Sequence, residues 1–224
     1  MLVVALDPPF SPVLGEDYLR IVREVEPYAQ GFKVGLPLIL RRGVGAVGKV
    51  KEATGKPVIA DLKLADIGDV MASALSVLAE QGVDAVIAHG FVGVEGSLDK
   101  LVEEAEKLGV EVIVVASMSH KGSEKYIDKH VTEIVEDSLR LGVHGLVLPA
   151  TRPSLIRLAR GLVGGSLRIY SPGVGYQGAQ PGDALCAGAD YEIVGRAITR
   201  SESPGQAARA VLEKQLERVR ACRG

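Results

Sequence analysis

Eight short, almost wholly apolar stretches alternate along this chain with segments of helical periodicity. The stretches are Met1–Leu6, Gly31–Gly35, Pro57–Leu62, Asp84–Gly90, Glu111–Ala116, Gly145–Pro149, Leu167–Ser171 and Asp190–Gly195. They are rich in Val and Ile and lack the in-out alternation of a half-exposed sheet, as expected of parallel strands covered on both faces. Helical periodicity runs over Glu16–Pro27, Leu36–Thr54 (interrupted by Gly43, Gly45 and Gly48), Glu95–Leu108, Lys129–Leu141, Pro153–Arg160 and Gln206–Val219. A further helix spans Asp66–Gln81, capped by Asp66 and closed by Gly82. No linker or low-complexity segment separates these elements. The order predicts an α/β fold, a single (β/α)₈ TIM barrel that takes in residues 1–224 as one domain, with a doubly wound open sheet as the alternative. A length of 224 residues is short for such a barrel, so insertions must be few.

Composition removes several function classes. A net charge of −2 offers no field for nucleic acid or an anionic membrane. Aromatic residues make up 4% and Trp is absent, which argues against base-stacking platforms. No apolar run reaches membrane-spanning length, and the N-terminus has no basic region of a signal peptide. The two cysteines, Cys186 and Cys222, make no framework and read as reduced thiols in a cytoplasmic protein. The chain has no Asn and is rich in Arg and Glu, a thermophilic leaning.

Barrels of this kind carry their chemistry at the C-terminal ends of the strands. Those ends hold Asp7, Lys33, Asp61 with Lys63, His89, Ser119, the Pro172–Gly175 loop and Gly195-Arg196. Asp61, Lys63 and Asp66 fall within six residues among apolar neighbours, and positions two apart on a strand share a face. Taken alone, the trio fits a structural ion pair plus a helix cap as well as a catalytic site. With Lys33 the signs alternate, an arrangement that holds lysines protonated and aspartates ionised. A fixed ammonium in a water-poor site suits a developing carbanion. Gly173-Val174-Gly175-Tyr176-Gln177-Gly178 and Gly195-Arg196 follow the seventh and eighth strands, where barrels often hold a phosphate. The four histidines have no ligand spacing, and no metal site stands out. His89 reads as a hydrogen-bonded structural residue, and His130 and His144 as surface residues.

Asp61-Leu62-Lys63-Leu64-Ala65-Asp66-Ile67 resembles the D-x-K-x-x-D-I motif of orotidine 5′-phosphate decarboxylases. Gly31-Phe32-Lys33-Val34-Gly35, Ser117-Met118-Ser119-His120, Ser171–Gly175 with Gln177, and Val194-Gly195-Arg196 are similar to that family's other motifs, in order. The D-x-K-x-x-D motif is shared with magnesium-dependent sugar-phosphate decarboxylases and hexulose-phosphate synthases. Those relatives usually have Glu at the place of Lys33, so Lys33 points to the metal-free branch.

The resemblance implies a decarboxylase that uses no cofactor and converts orotidine 5′-phosphate to UMP. In it, Lys63 stabilises charge at C6 of the pyrimidine and donates the proton, and Asp61 faces the substrate carboxylate. Lys33 and Asp7 hold ribose hydroxyls, and Ser119 meets the pyrimidine edge. Gln177, Arg196 and the N–H of Gly195 hold the phosphate, while the loop around Val174 closes over the base. Asp66 and Ile67 serve the partner's site in a homodimer with shared active sites. One position departs from the pattern: Val70 stands where the family commonly has Thr, which puts one ribose contact in doubt.

Overall fold

The computed structural model describes residues 1–7 and 18–223. Eight parallel strands close into a barrel in sequence order: β1 Leu2–Leu6, β2 Gly31–Gly35, β3 Val58–Leu64, β4 Ala85–His89, β5 Glu111–Val115, β6 Gly145–Val147, β7 Arg168–Pro172 and β8 Tyr191–Val194. β8 pairs with β1, so no edge is left open. Among the described residues, ten α-helices surround the barrel: α1 Tyr18–Val25, α2 Leu36–Arg42, α3 Gly45–Thr54, α4 Gly68–Ala79, α5 Asp99–Leu108, α6 Val131–Leu141, α7 Pro153–Val163, α8 Asp183–Ala187, α9 Arg196–Thr199 and α10 Pro204–Arg223. No described helix is long and apolar enough to cross a membrane.

All eight expected strands are present, within a few residues of their expected ends. The helices depart more. Gly43, at φ 75°, ends α2 by donating its N–H to Ile39 O, and this splits the long 36–54 stretch in two. Asp66 is not the cap of α4: Ile67 occupies the N-cap position, and Asp66 Oδ1 accepts only the N–H of Ile67, at 2.8 Å. Glu16 and Asp17, the expected start of the first helix, lie outside the described residues, as do Pro8 and Pro9, expected to stop the first strand. α8 and α9 have no forerunner in the sequence reading, because five and four residues are too few to display a helical period.

Alternation along the strands builds two cores. Val3, Ala5, Ile59, Ile87, Ile113, Val115, Val147, Tyr170 and Ile193 fill the barrel interior. Their neighbours, among them Leu2, Val4, Phe32, Val34, Val86, Val112, Val114 and Leu146, face the helices. Both faces are thereby apolar, which is why the strands read as continuous runs. The filled interior makes the lower barrel a floor and leaves reacting groups only the upper mouth.

Glu192 breaks the apolar outer layer. It is fully buried, and burial pushes its carboxyl pKa up. Its oxygens accept N–H bonds from Gly182 at 2.9 Å and Ala184 at 3.0 Å, and Gln215 Nε2 donates at 2.8 Å. One carboxylate thus fastens the start of α8 and the middle of α10 to β8. The cysteines reinforce the same joint. Contrary to the expectation of free thiols, Cys186 of α8 and Cys222 of α10 form a disulfide across 36 residues. His144 is also not a plain surface residue: it is half-buried, and its Nδ1 accepts the N–H of Val112 at 3.3 Å.

Closing a 36-residue loop restricts the unfolded chain by roughly 3–4 kcal/mol in the chain-entropy model. A Cys186→Ser/Cys222→Ser protein should lose stability of that order in guanidinium unfolding, and added reductant should bring the parent to the same midpoint while leaving the variant unmoved.

Candidate active site

The pleat of three adjoining strands assembles the charged end of the mouth. Lys33 on β2 lies level with Ala5 of β1 and Ile59 of β3, all three facing inward. Two residues further up, the same face brings Asp7 on one side and Asp61 on the other. The Lys33 ammonium rises between them, 2.7 Å from Asp7 Oδ2 and 2.9 Å from Asp61 Oδ2. Lys63 Nζ stands 2.8 Å from Asp61 Oδ1. Gly35 leaves the room this needs, since a Cβ there would fall 1.7 Å from Asp7 Oδ1.

Lys63 reaches this place by a distorted backbone. It has φ 49°, the one positive φ among described non-glycine residues. Between Ala60 and Leu64, four steps along β3 oppose two along β4. A bulge of this kind re-aims a side chain, and a non-glycine residue in the left-handed region costs of order 1–3 kcal/mol. The strain therefore sits on the lysine whose ammonium pairs with Asp61 at the cavity wall.

Burial shapes the charges. The side chains of Lys33 and Asp61 are 7% and 6% exposed. Burial by itself lowers the Lys33 pKa, but Asp61 and Asp7 outweigh it, and the net shift is upward. Burial raises that of Asp61, but Lys33 and Lys63 outweigh it, and the net shift is downward. Both stay charged at neutral pH.

These groups line one side of a cavity of about 310 Å³, floored by Ile87, Val115, Val147 and Ile193. Ser119, Val174, Gln177, Gly195 and Arg196 line the rest. The loop after β7 folds back on itself, with Gly175 N–H donating to Ala179 O at 2.8 Å and Gly178 N–H to Gly175 O at 2.9 Å. Gly175 has φ 79° and lies so near α9 that a Cβ would meet that of Ala197 at 2.9 Å. Asp66 and Ile67 are not in this cavity; both are exposed outside it. Within one chain the alternating set is Asp7–Lys33–Asp61–Lys63, and this chain's own Asp66 stands apart from it. Among the described residues, no group of three or more His, Cys, Asp or Glu is placed to hold a metal ion.

Some contributors were not singled out in the sequence. The Arg196 guanidinium lies 3.7 Å from the ring centroid of Tyr176, a residue inside the glycine motif. Asp128 accepts from Ser117 Oγ at 2.7 Å and Ser123 Oγ at 2.6 Å and pairs with Arg152, whose Nη2 also donates to His120 O at 3.0 Å. This network staples the loop carrying Met118 and Ser119 to the start of α7, whose N-cap is Arg152, and no local pattern announces contacts spanning 24 residues. His89 is buried against Phe91 at 4.5 Å, outside the cavity, and its Nδ1 has no hydrogen-bond partner, contrary to expectation. Burial, then the charge of Lys63, lowers its pKa.

Comparison with known proteins agrees with this geometry. The family model described as "Orotidine 5'-phosphate decarboxylase / HUMPS family" matches residues 1–211. An orotidine 5′-phosphate decarboxylase of Methanosarcina acetivorans is 42% identical over 199 residues, covering 89% of each chain. The crystal structure of orotidine 5′-phosphate decarboxylase from Pyrococcus horikoshii superposes with a TM-score of 0.85 at 37% identity, covering 96% of this chain and 99% of that one. That of orotidine 5′-monophosphate decarboxylase from Methanocaldococcus jannaschii complexed with the inhibitor BMP gives 0.88 at 34% identity, covering 96% and 97%. With the barrel, the charged mouth and these relatives in agreement, the chain belongs to the orotidine 5′-phosphate decarboxylase / HUMPS family.

Proposed function

We propose that this protein, a single domain of residues 1–224, decarboxylates orotidine 5′-phosphate to UMP in the cytoplasm, in pyrimidine biosynthesis, without metal or cofactor. The observation that carries the reading is the Asp7–Lys33–Asp61–Lys63 chain at one side of a cavity whose other side holds Gly195 and Arg196. The Lys33 ammonium fills the gap between two carboxylates, the position a divalent ion would need, which favours this branch over its magnesium-dependent relatives.

In this reading the substrate phosphate pairs with Arg196, the Gly195 N–H and Gln177. The pyrimidine lies over the apolar floor with Ser119 at its edge and the Val174 loop above it. The C6–carboxylate bond breaks and carbon dioxide departs, leaving the electron pair at C6. Lys63 stabilises that charge, transfers its proton to C6, and regains one from solvent. Asp61 stands beside the departing carboxylate. Asp7 Oδ1 is buried without a hydrogen-bond partner, an acceptor ready for a ribose hydroxyl, with Lys33 beside it as a donor. Binding energy from the phosphate, remote from C6, drives loop closure.

The site is completed in a homodimer. The segments after the neighbouring strands β2, β3 and β4 expose Leu36, Leu40, Ile67, Val70 and Phe91 to solvent. A cluster of large apolar residues on one rim favours a second copy of the chain as its cover. In that dimer Asp66 of the partner subunit and Ile67 of the partner subunit enter the cavity, and Val70 provides apolar contact in place of a ribose hydrogen bond.

The direct test follows the ultraviolet absorbance of orotidine 5′-phosphate with purified protein and excess chelator. Turnover should persist under chelation and vanish in Lys63→Ala; loss of activity restored by magnesium would assign the protein to the other branch. Arg196→Ala should lower kcat/KM at least roughly tenfold, because a charged hydrogen bond is worth about 1.5–3 kcal/mol. Wild-type kcat/KM in that variant would remove the phosphate assignment.

The depressed carboxyl of Asp61 sets a pH dependence. A group whose pKa falls on folding stabilises the fold above its ordinary value, about 3.9, and that contribution fades as pH drops through the folded value. Thermal midpoints of the parent and of Asp61→Asn should therefore differ by a constant amount from about pH 5 upward through neutrality. Below pH 4 the difference should drift, the parent losing ground to the variant.

Shared sites make a distinct prediction. Lys63→Ala and Asp66→Ala homodimers should both be nearly inactive. Equal amounts under exchange conditions should recover about a quarter of wild-type activity, since half the dimers are mixed and each holds one intact site. No recovery, with exchange verified by mass, would place Asp66 in its own subunit's service.

A further inference from the structure

The Gly178 N–H bond to Gly175 O closes a tight turn in the loop after β7, with Tyr176 and Gln177 at its tip. Gly175 packs so near Ala197 that a Cβ would crowd it, which brings the tip against Arg196, the first residue of α9. The sequence alone gave Tyr176 no role. In the structure it lines the active-site cavity beside Gln177 and Arg196, yet remains 65% exposed. Its ring covers the Arg196 guanidinium, whose central carbon lies 3.7 Å from the ring centroid.

At that distance an edge-on guanidinium would drive a nitrogen into the ring, so the two planes lie face to face. Stacking of this kind occupies the face of the guanidinium and leaves the N–H donors along its edge free. They are free in this chain: the Arg196 side chain makes no hydrogen bond or ion pair with another described residue. The ring is therefore the contact that fixes a long and otherwise unpaired side chain before an anion arrives. An arginine gives up rotamer freedom when it binds, and a prior stack removes part of that cost. Arg200 lies 5.7 Å from the same centroid, near the outer limit of such attraction and outside the cavity, so Arg196 is the cation that the ring holds.

We propose that Tyr176 is a positioning residue, whose ring sets the donor edge of the Arg196 guanidinium for the substrate phosphate. Val174 directly precedes the turn, so a phosphate that fastens Arg196 and Gln177 also fixes the segment over the base. The inference rests on the decarboxylase reading for the identity of the anion, and on the stack for everything else.

The test measures kcat/KM for orotidine 5′-phosphate in the parent chain, in Tyr176→Phe, Tyr176→Leu and Arg196→Ala, and in the Tyr176→Leu/Arg196→Ala double variant. Tyr176→Phe keeps the ring and should stay within about twofold of the parent. Tyr176→Leu should lose roughly fivefold, the worth of an exposed cation–π contact. In the Arg196→Ala background the same change should cost less than about twofold, because the ring has lost the group that it places. Tyr176 is largely exposed, so each variant should unfold at the parent's midpoint. A ring that merely shapes the turn would cost the same with or without Arg196. That additivity, or parent-like kcat/KM in Tyr176→Leu, would overturn the proposal. A parent chain without turnover would refute the decarboxylase reading instead. The same comparison, read as inorganic phosphate binding by phosphorus NMR titration, then decides the role of Tyr176 with the same expected pattern.

Discussion

The Lys33 ammonium between Asp7 and Asp61 is the interaction on which the site depends. A lysine so deeply buried is tolerable only with carboxylates on both sides, and each carboxylate in turn needs the lysine. Asp61 also accepts from Lys63 at both oxygens, and Lys63 is the more exposed of the two lysines. The interior charges therefore satisfy one another and hold the Lys63 ammonium at a set place. In such a site the electrostatic work is done during folding, before a substrate enters.

That placement is a property of barrel geometry. Strands in register bring inward residues level, and the pleat raises their i+2 neighbours to the next layer. Lys33, Ala5 and Ile59 share one layer, and the two aspartates come from the layer above. β3 alone departs from regularity, and its bulge coincides with the catalytic lysine of the proposed mechanism. A regular strand continuing at that point would aim the side chain along a different path.

The opposite side of the barrel is fastened by other means. Glu192 binds β8 to α8 and α10, and the disulfide binds α8 to the end of α10. These contacts anchor the base of the loop after β7, whose glycines keep its tip close to α9. In the proposed mechanism, a firmly held base beneath a glycine-rich tip lets closure use local backbone freedom without disturbing the sheet.

Eight apolar runs and their spacing determined the barrel, because burial on both faces writes itself into each strand as an unbroken Val- and Ile-rich stretch. The charged residues at the strand ends, and the motif around Lys63, were legible for the same reason: a charge inside such a run conflicts with its surroundings unless it has a use. Tertiary structure decided what depends on distant partners. Within one chain Asp7, not Asp66, flanks Lys33, because β1 adjoins β2 in the barrel whereas Asp66 lies beyond the end of β3. The Cys186–Cys222 bond, the Asp128–Arg152 staple and the grip of Glu192 on α8 join residues that local sequence does not relate. Periodicity records only which face of an element is buried, and leaves open which residues meet there.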